Sequence, residues 1–394
     1  MRYRILVLGG YGTFGARISR ELAKDSDLTV IIGGRDPSRA EALARTLRAD
    51  IPRADVESVC CDIEDTSFAP QLRALSVAAV INTCGPFQQR DYQVAETCIR
   101  AGIHYIDLAD ARDYVAHFDS LDTLARQHNV LAVTGASTVP ALAAAVIDRL
   151  TTDLSAHAID YGINPGNQTP RGLATVRAIL SYCGKPFRQW RGGRWVDVYG
   201  WQGLVRRRYP SPMGRRWLSY CNVPDLSLFP QRYPGVRDIE FRAGLELWPL
   251  HLGTWALSWL ARWRLVNDWS RYAPTLLRIS EWFTRIGSDI GGMHVSVTGT
   301  DAHGRNLRRT WYLIAQNGDG PQVPCTPSVI LAKKLAKRRL PHRGAMACTG
   351  LLTLDELLTA LSGYAIATHT TEELLASART DGNPRATCSL VCRN

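Results

Sequence analysis

Short apolar runs recur along the first third of the chain, each closed by glycine or a polar turn and followed by residues at helical spacing. Arg4 to Leu8 ends in Gly9 and Gly10, as a buried parallel strand does. From Gly15 to Lys24, Ile18 and Leu22 stand four apart with charged residues on the other face, which predicts an amphipathic helix. Further strands are predicted at Leu28 to Ile32, Asp55 to Cys60, Val77 to Asn82, His104 to Leu108 and Val130 to Thr134. Helices are predicted after Asp36-Pro37-Ser38 and at Ser67 to Ala74, Tyr92 to Ala101 and Val115 to Gln127. This alternation predicts an α/β fold, with an N-terminal doubly wound parallel sheet of Rossmann type over residues 1–142.

Beyond a helix at Ala141 to Leu150 the pattern changes. Met293 to Thr298 and Leu307 to Ala315 alternate about an Asp301-Ala302-His303-Gly304 turn and read as a hairpin. Residues 143–325 are therefore expected to form a second α/β domain on a mixed sheet for substrate and dimer contacts. Residues 326–394 are expected to be a helical segment packing back on the first domain, with a flexible tail after about Ser377. The stretch Leu245 to Gly287 is dense in Trp, Leu and Arg. Its longest uncharged piece, Leu247 to Ala261, falls short of the roughly 20 residues that span a bilayer. The preferred reading of this stretch is core and dimer interface, with peripheral membrane contact through 245–285 as the competing one.

The charge balance sharpens this division. The chain carries 47 Lys and Arg against 36 Asp and Glu. Residues 1–150 hold 16 basic against 19 acidic residues, leaving 31 against 17 for the remainder, where all 11 Trp also lie. The basic runs Arg206-Arg207-Arg208, Arg215-Arg216 and Lys333-Lys334 are scattered and read as solvated faces rather than a nucleic-acid site. Ten cysteines without CxxC or zinc-ligand spacing read as free thiols, with no metal. The N-terminal apolar run is too short for a secretory signal, so a cytoplasmic protein is expected.

The chemistry starts at Gly9-Gly10-Tyr11-Gly12-Thr13-Phe14-Gly15, which contains GxGxxG as Gly10, Gly12 and Gly15 between a strand and a helix. Such a turn brings backbone N–H groups and a helix N-terminus against a pyrophosphate. The second strand ends in Gly34-Arg35-Asp36. A guanidinium there matches a ribose 2′-phosphate, so NADP(H) is expected ahead of NAD(H), although Asp36 follows at once. Asp62, after the third strand, is a candidate adenine contact.

With Asn82-Thr83-Cys84-Gly85-Pro86-Phe87, Cys98 to Gly102, His104 to Leu108 and Thr169-Pro170-Arg171-Gly172, the chain resembles the saccharopine dehydrogenase-like oxidoreductases over about residues 4–176. The resemblance implies an NADP-binding Rossmann domain, a second α/β domain and a dimer. Saccharopine reductases carry a tyrosine where Phe87 stands, so a phenolic proton donor is absent at that place.

Candidate cofactor contacts are thus Gly10 to Gly15, Gly34, Arg35, Asp36, Asp62 and Thr83 to Pro86. Asp107, Asp110 and Cys84 are the candidate catalytic groups at strand ends, and Tyr105 and Arg171 the candidate substrate contacts. Hydride transfer from NADPH to an imine is the expected reaction, in preference to ketones, with Asp107 balancing iminium charge. The alternatives are an enoyl reductase on a lipid-like substrate and a non-catalytic dinucleotide-binding protein.

Overall fold

The computed structural model describes residues 2–170 and 172–375. Parallel strands β1 (Tyr3–Leu8), β2 (Leu28–Gly34), β3 (Asp55–Cys60), β4 (Ala79–Asn82), β5 (His104–Asp107) and β6 (Leu131–Thr134) lie side by side in the order β3, β2, β1, β4, β5, β6. Every residue of β2 and β4 is buried, because helices cover both faces of the sheet. Helices α1 (Gly15–Ala23) and α2 (Pro37–Asp50) follow the first two strands. The Asp36 side chain starts α2 by accepting from Arg39 N at 3.1 Å, with Pro37 in the first turn. Strand order turns outward on both sides of β1, so the crevice at the carboxyl ends lies over β1 and β4.

The helix expected at Val115 to Gln127 is divided instead into Arg112–Ala116, a 3₁₀ turn at Phe118–Leu121 and Asp122–Gln127. His117 leaves helical geometry, and Phe118 is fully buried next to the break.

The second domain is built on a nine-stranded mixed sheet. Its centre is Leu154–Asn164, parallel to Asp238–Ala243 on one side and antiparallel to Gly291–Asp301 on the other. Gly291–Asp301 and Asn306–Ala315 form the expected hairpin. The C-terminal segment is not purely helical. Helix Gln322–Ala336 packs against α1, but Gly344–Ala347 adds a strand beside β6 and Ile366–Leu374 adds one beside Asn306–Ala315. It therefore closes an edge of each sheet and fastens the domains together. The tail expected after Ser377 lies outside the described residues.

In Leu245 to Gly287 it is the core part of the preferred reading that the structure does not bear out. Helices Trp248–Arg262 and Ala273–Glu281, joined through a 3₁₀ turn at Trp269–Tyr272, leave Trp248, Trp263, Leu265 and Trp282 exposed rather than in the core. Among the described residues no helix is long and apolar enough to cross a membrane, no metal-ligating cluster occurs and the cysteines are free.

The two domains also meet around Arg112. Its guanidinium donates to Ser227 Oγ at 2.6 Å, the Arg188 carbonyl at 2.5 Å and Asn222 Oδ1 at 3.2 Å. In helix Asp225–Arg232, Asp225 is fully buried beside the equally buried Tyr161 hydroxyl. Burial pushes its pKa up to about 8. The unfolded chain therefore releases this proton at lower pH than the folded one, and the group opposes folding increasingly as pH rises from its ordinary value toward 8. Asp225→Asn removes that dependence. Its melting temperature relative to wild type should rise steadily between about pH 4 and pH 8; a difference independent of pH would show that Asp225 is already ionised in the fold.

Candidate active site

The glycine turn is shaped by one close approach. A Cβ on Gly15 would stand 2.2 Å from the Gly9 carbonyl oxygen, so only glycine lets α1 begin against the end of β1. At Gly12 a Cβ would meet only the Gly9 oxygen, at 3.1 Å, and otherwise open space. No side chain caps α1 and no acidic residue lies in its first turn, which leaves the positive end of the helix free to meet an anion. Thr83 Oγ1 ties the turn to the end of β4 through the Leu8 carbonyl at 2.7 Å. These features fit a dinucleotide pyrophosphate, held by Gly10 to Gly15 with Thr83 behind.

Beside the turn, the Tyr11 ring lies over Gly34, where a Cβ would come within 2.4 Å of the ring. Its hydroxyl accepts from Asp36 N at 2.9 Å, and the Arg39 guanidinium sits over the ring at 4.8 Å. Asp36 is committed to capping α2, which leaves exposed Arg35 and Arg39 as the charged groups on this rim. Arg39 was missed in the sequence; its signal is its place one helical turn after Arg35. Both suit a 2′-phosphate and neither suits a bare 2′-hydroxyl. Asp62 folds back to accept from Glu64 N at 3.1 Å in the loop after β3.

At the strand ends the expectations need correction. Asp107 is fully buried and lines none of the cavities described below. Its Oδ1 accepts from Ala109 N at 2.9 Å, Gly135 N at 2.9 Å and Thr134 Oγ1 at 2.8 Å, tying together the loops after β5 and β6. Its pKa is pushed up to about 6 by burial against these opposing hydrogen bonds. It is a positioning residue. Tyr105, also fully buried, accepts from Asn82 Nδ2 at 3.1 Å and stacks near Phe118, so it packs in the core. Burial pushes the Cys84 thiol up to about 12, which keeps it protonated at neutral pH and removes it as a nucleophile. Phe87 packs on Tyr114, with ring centroids 5.4 Å apart. Arg171 lies outside the described residues.

Asp110 is the strand-end carboxylate that reaches the crevice, and two cavities flank it. The first, of about 320 Å³, lies between the domains and is walled by Phe14, Val139, Ile163, Met293, Leu313 and Val323. Its polar points are Asp110, Ser137, Thr138, Asn164 and threonines at 13, 169 and 175, and among the described residues its lining includes no Lys, Arg or His. Asn164 is fully buried, with Oδ1 unpartnered. The second cavity, of about 390 Å³, is polar and holds Arg112, Arg177, Lys185, Tyr114 and Tyr182. Crowding by protein raises the Asp110 carboxyl, and a hydrogen bond from Gln88 Nε2 at 3.2 Å opposes that shift. Thr13 and Phe14, at the start of α1, border the first cavity, which places the apolar chamber next to the pyrophosphate turn.

Two outcomes follow for the cofactor. Gly12→Val should fold normally yet lose NADPH binding, whereas Gly15→Ala should unfold at lower temperature, because its Cβ meets backbone at once; melting curves and titration calorimetry separate the two. Arg35→Ala should weaken NADPH more than NADH by about 1.5–3 kcal/mol, the worth of a charged hydrogen bond. Equal losses for both cofactors would remove Arg35 from the phosphate site.

Comparison with known proteins agrees with this geometry. Residues 5–134 match the family described as saccharopine dehydrogenase NADP binding domain. The saccharopine dehydrogenase (L-Glu forming) of Saccharomyces cerevisiae superposes with a TM-score of 0.65 at 12% identity, covering 94% of this chain and 100% of that one, so the fold is shared through both domains. Two looser likenesses carry no argument. They are GenD2 from gentamicin A biosynthesis in complex with NAD (TM-score 0.41, 13% identity, 95% and 97% covered) and a short-chain type dehydrogenase/reductase from Mycobacterium ulcerans (0.26, 16%, 34% and 67%). A search of curated protein sequences found no match. Residues 5–134 thus match the saccharopine dehydrogenase NADP binding domain, and the chain as a whole has the fold of that saccharopine dehydrogenase.

Proposed function

We propose that this protein is an NADP(H)-dependent reductase of an activated C=C bond in an apolar, acyl-type substrate. The observation that carries the reading is the chamber of about 320 Å³ beside the pyrophosphate turn, walled largely by apolar side chains. Against such walls a hydrocarbon chain gains roughly 0.8 kcal/mol per buried methylene. A protein that only sensed the dinucleotide would have no use for such a chamber.

NADPH, when bound, supplies the hydride. Gly10 to Gly15 hold the pyrophosphate, while Arg35 and Arg39 hold the 2′-phosphate. Reduction of a C=C bond conjugated to a carbonyl throws negative charge onto the carbonyl oxygen, which needs hydrogen-bond donors in place beforehand. The hydroxyls of Ser137 and Thr138 line the chamber and serve that purpose. Asp107, by fixing Gly135 N and Thr134, holds the loop that carries them. The apolar wall shields the carbon that accepts hydride, and the enolate takes its proton at the α-carbon from water at the mouth of the chamber.

Imine reduction is the second reading, and the placement of Asp110 favours it. This carboxylate borders both cavities, and across the polar one stand Arg177 and Lys185, which suit a substrate carboxylate. Asp110, not Asp107, would then offset the iminium charge.

Following NADPH oxidation with alkyl enoyl thioesters and with α-imino acids decides between them, and the primary reading expects the thioesters to turn over faster. Thr175→Trp, which fills the chamber from a partly exposed position, should raise KM for long-chain thioesters by about tenfold or more while leaving NADPH affinity unchanged. Asp110→Asn should leave thioester turnover nearly intact. A loss of at least about tenfold on imines, about 1.4 kcal/mol, with thioesters inert, would instead establish the second reading.

A further inference from the structure

We propose that the helical hairpin Trp248–Glu281 and the turn after it form a docking surface for an anionic lipid bilayer. Large apolar side chains there stand in solvent: Trp248 is 63% exposed, Trp263 62%, Leu265 70%, Trp282 78% and Ile286 55%. Soluble surfaces seldom expose so many within one short segment of chain. Arg264, Arg271, Arg278 and Arg285 are exposed among them, and among the described residues no carboxylate pairs with any of the four.

The acidic groups nearby are largely occupied. Asp268 accepts from Ser270 N and lies 3.6 Å from Lys185. Glu246 is buried against Arg216 and the backbone of Asn167 and Ser288. Glu281 is the remaining exposed carboxylate in the hairpin. Indole rings interleaved with guanidinium groups suit the headgroup level of a membrane, where the rings bury their apolar edge and the charges meet lipid phosphates. A second copy of this chain would bring the same four arginines against each other without carboxylates to meet them, which disfavours self-association through this face.

The location gives the surface a use. A groove of about 300 Å³ runs between Ala273–Glu281 and residues 167–170, lined by Leu277, Ser280 and Thr284, and it shares Thr169 and Pro170 with the apolar chamber. A bilayer at the hairpin would thus lie beside the chamber wall, and an apolar substrate could pass from one to the other; this link rests on the apolar-substrate reading above. The docking surface itself does not, since its test reads binding and not turnover.

The test is co-sedimentation of the full chain with vesicles of phosphatidylcholine alone and of equal parts phosphatidylcholine and phosphatidylglycerol. The wild type should partition onto the anionic vesicles about tenfold more strongly and lose that preference in high salt. Trp263→Ser with Trp282→Ser should lower partitioning on anionic vesicles by about tenfold. Replacing Arg264, Arg271, Arg278 and Arg285 by Gln should abolish the anionic preference. NADPH titration of each variant confirms that the fold is intact. Absence of wild-type binding to either vesicle, or variants that sediment like wild type, would overturn the proposal. A wild-type dimer in sedimentation velocity that the Trp variant converts to monomer would overturn it in favour of an interface between copies.

Discussion

The closeness of α1 to the end of β1 is the constraint on which the rest of the molecule is arranged. With no side chain at Gly15, the helix starts in contact with the turn, and its N-terminus comes to the mouth of the crevice. The same helix is held from outside by Gln322–Ala336, where the Cys325 thiol lies 3.6 Å from the Phe14 carbonyl oxygen. Thr13 and Phe14 from the turn, and Pro321, Val323 and Pro324 from that later helix and its start, then wall one side of the apolar chamber. The cofactor turn, the return of the C-terminal segment and the substrate space therefore rest on a single packing contact.

The parts of this arrangement legible in the sequence are those set by local pattern. Strand and helix alternate through residue 134 because apolar runs and helical spacing are local, and the glycine turn is local too. The site at the strand ends is not. Tyr105 and Asp107 are two apart on β5 and share a face, but loops from other strands decide what that face meets, and Thr134 and Gly135 close over the carboxylate. Arg39 becomes a phosphate candidate through the position of the Tyr11 ring, which the sequence does not display. The chamber is assembled from segments between Thr13 and Pro324, so no single stretch announces it. Gly344–Ala347 has four small or flexible residues and no alternation, and its strand identity comes from the open edge of β6.

The excess of basic residues in the second domain divides into two populations. Several are taken up within its sheet: Arg207 pairs with Asp160 at 2.6 Å, Arg242 with Glu240 at 2.6 Å and Arg216 with Glu246 at 3.1 Å. The runs read from the sequence as solvated faces are thus partly ion-paired on the strands. Among the described residues Arg264, Arg271, Arg278 and Arg285 of the helical hairpin pair with no carboxylate, and their exposure near tryptophans gives that region a character distinct from the rest of the surface. An acidic Trp-free domain for the cofactor and a basic Trp-rich one bordering the substrate space follow from this division.

The central claim is that a substrate carbon in the apolar chamber receives hydride from NADPH bound at the glycine turn. Its most direct test is single turnover with NADPH deuterated at the transferable position and a long-chain enoyl thioester, read by mass spectrometry of the product. One deuterium per product molecule, absent from the Gly12→Val protein, is the expected result. Tight NADPH binding with no deuterium in the thioester would contradict the claim.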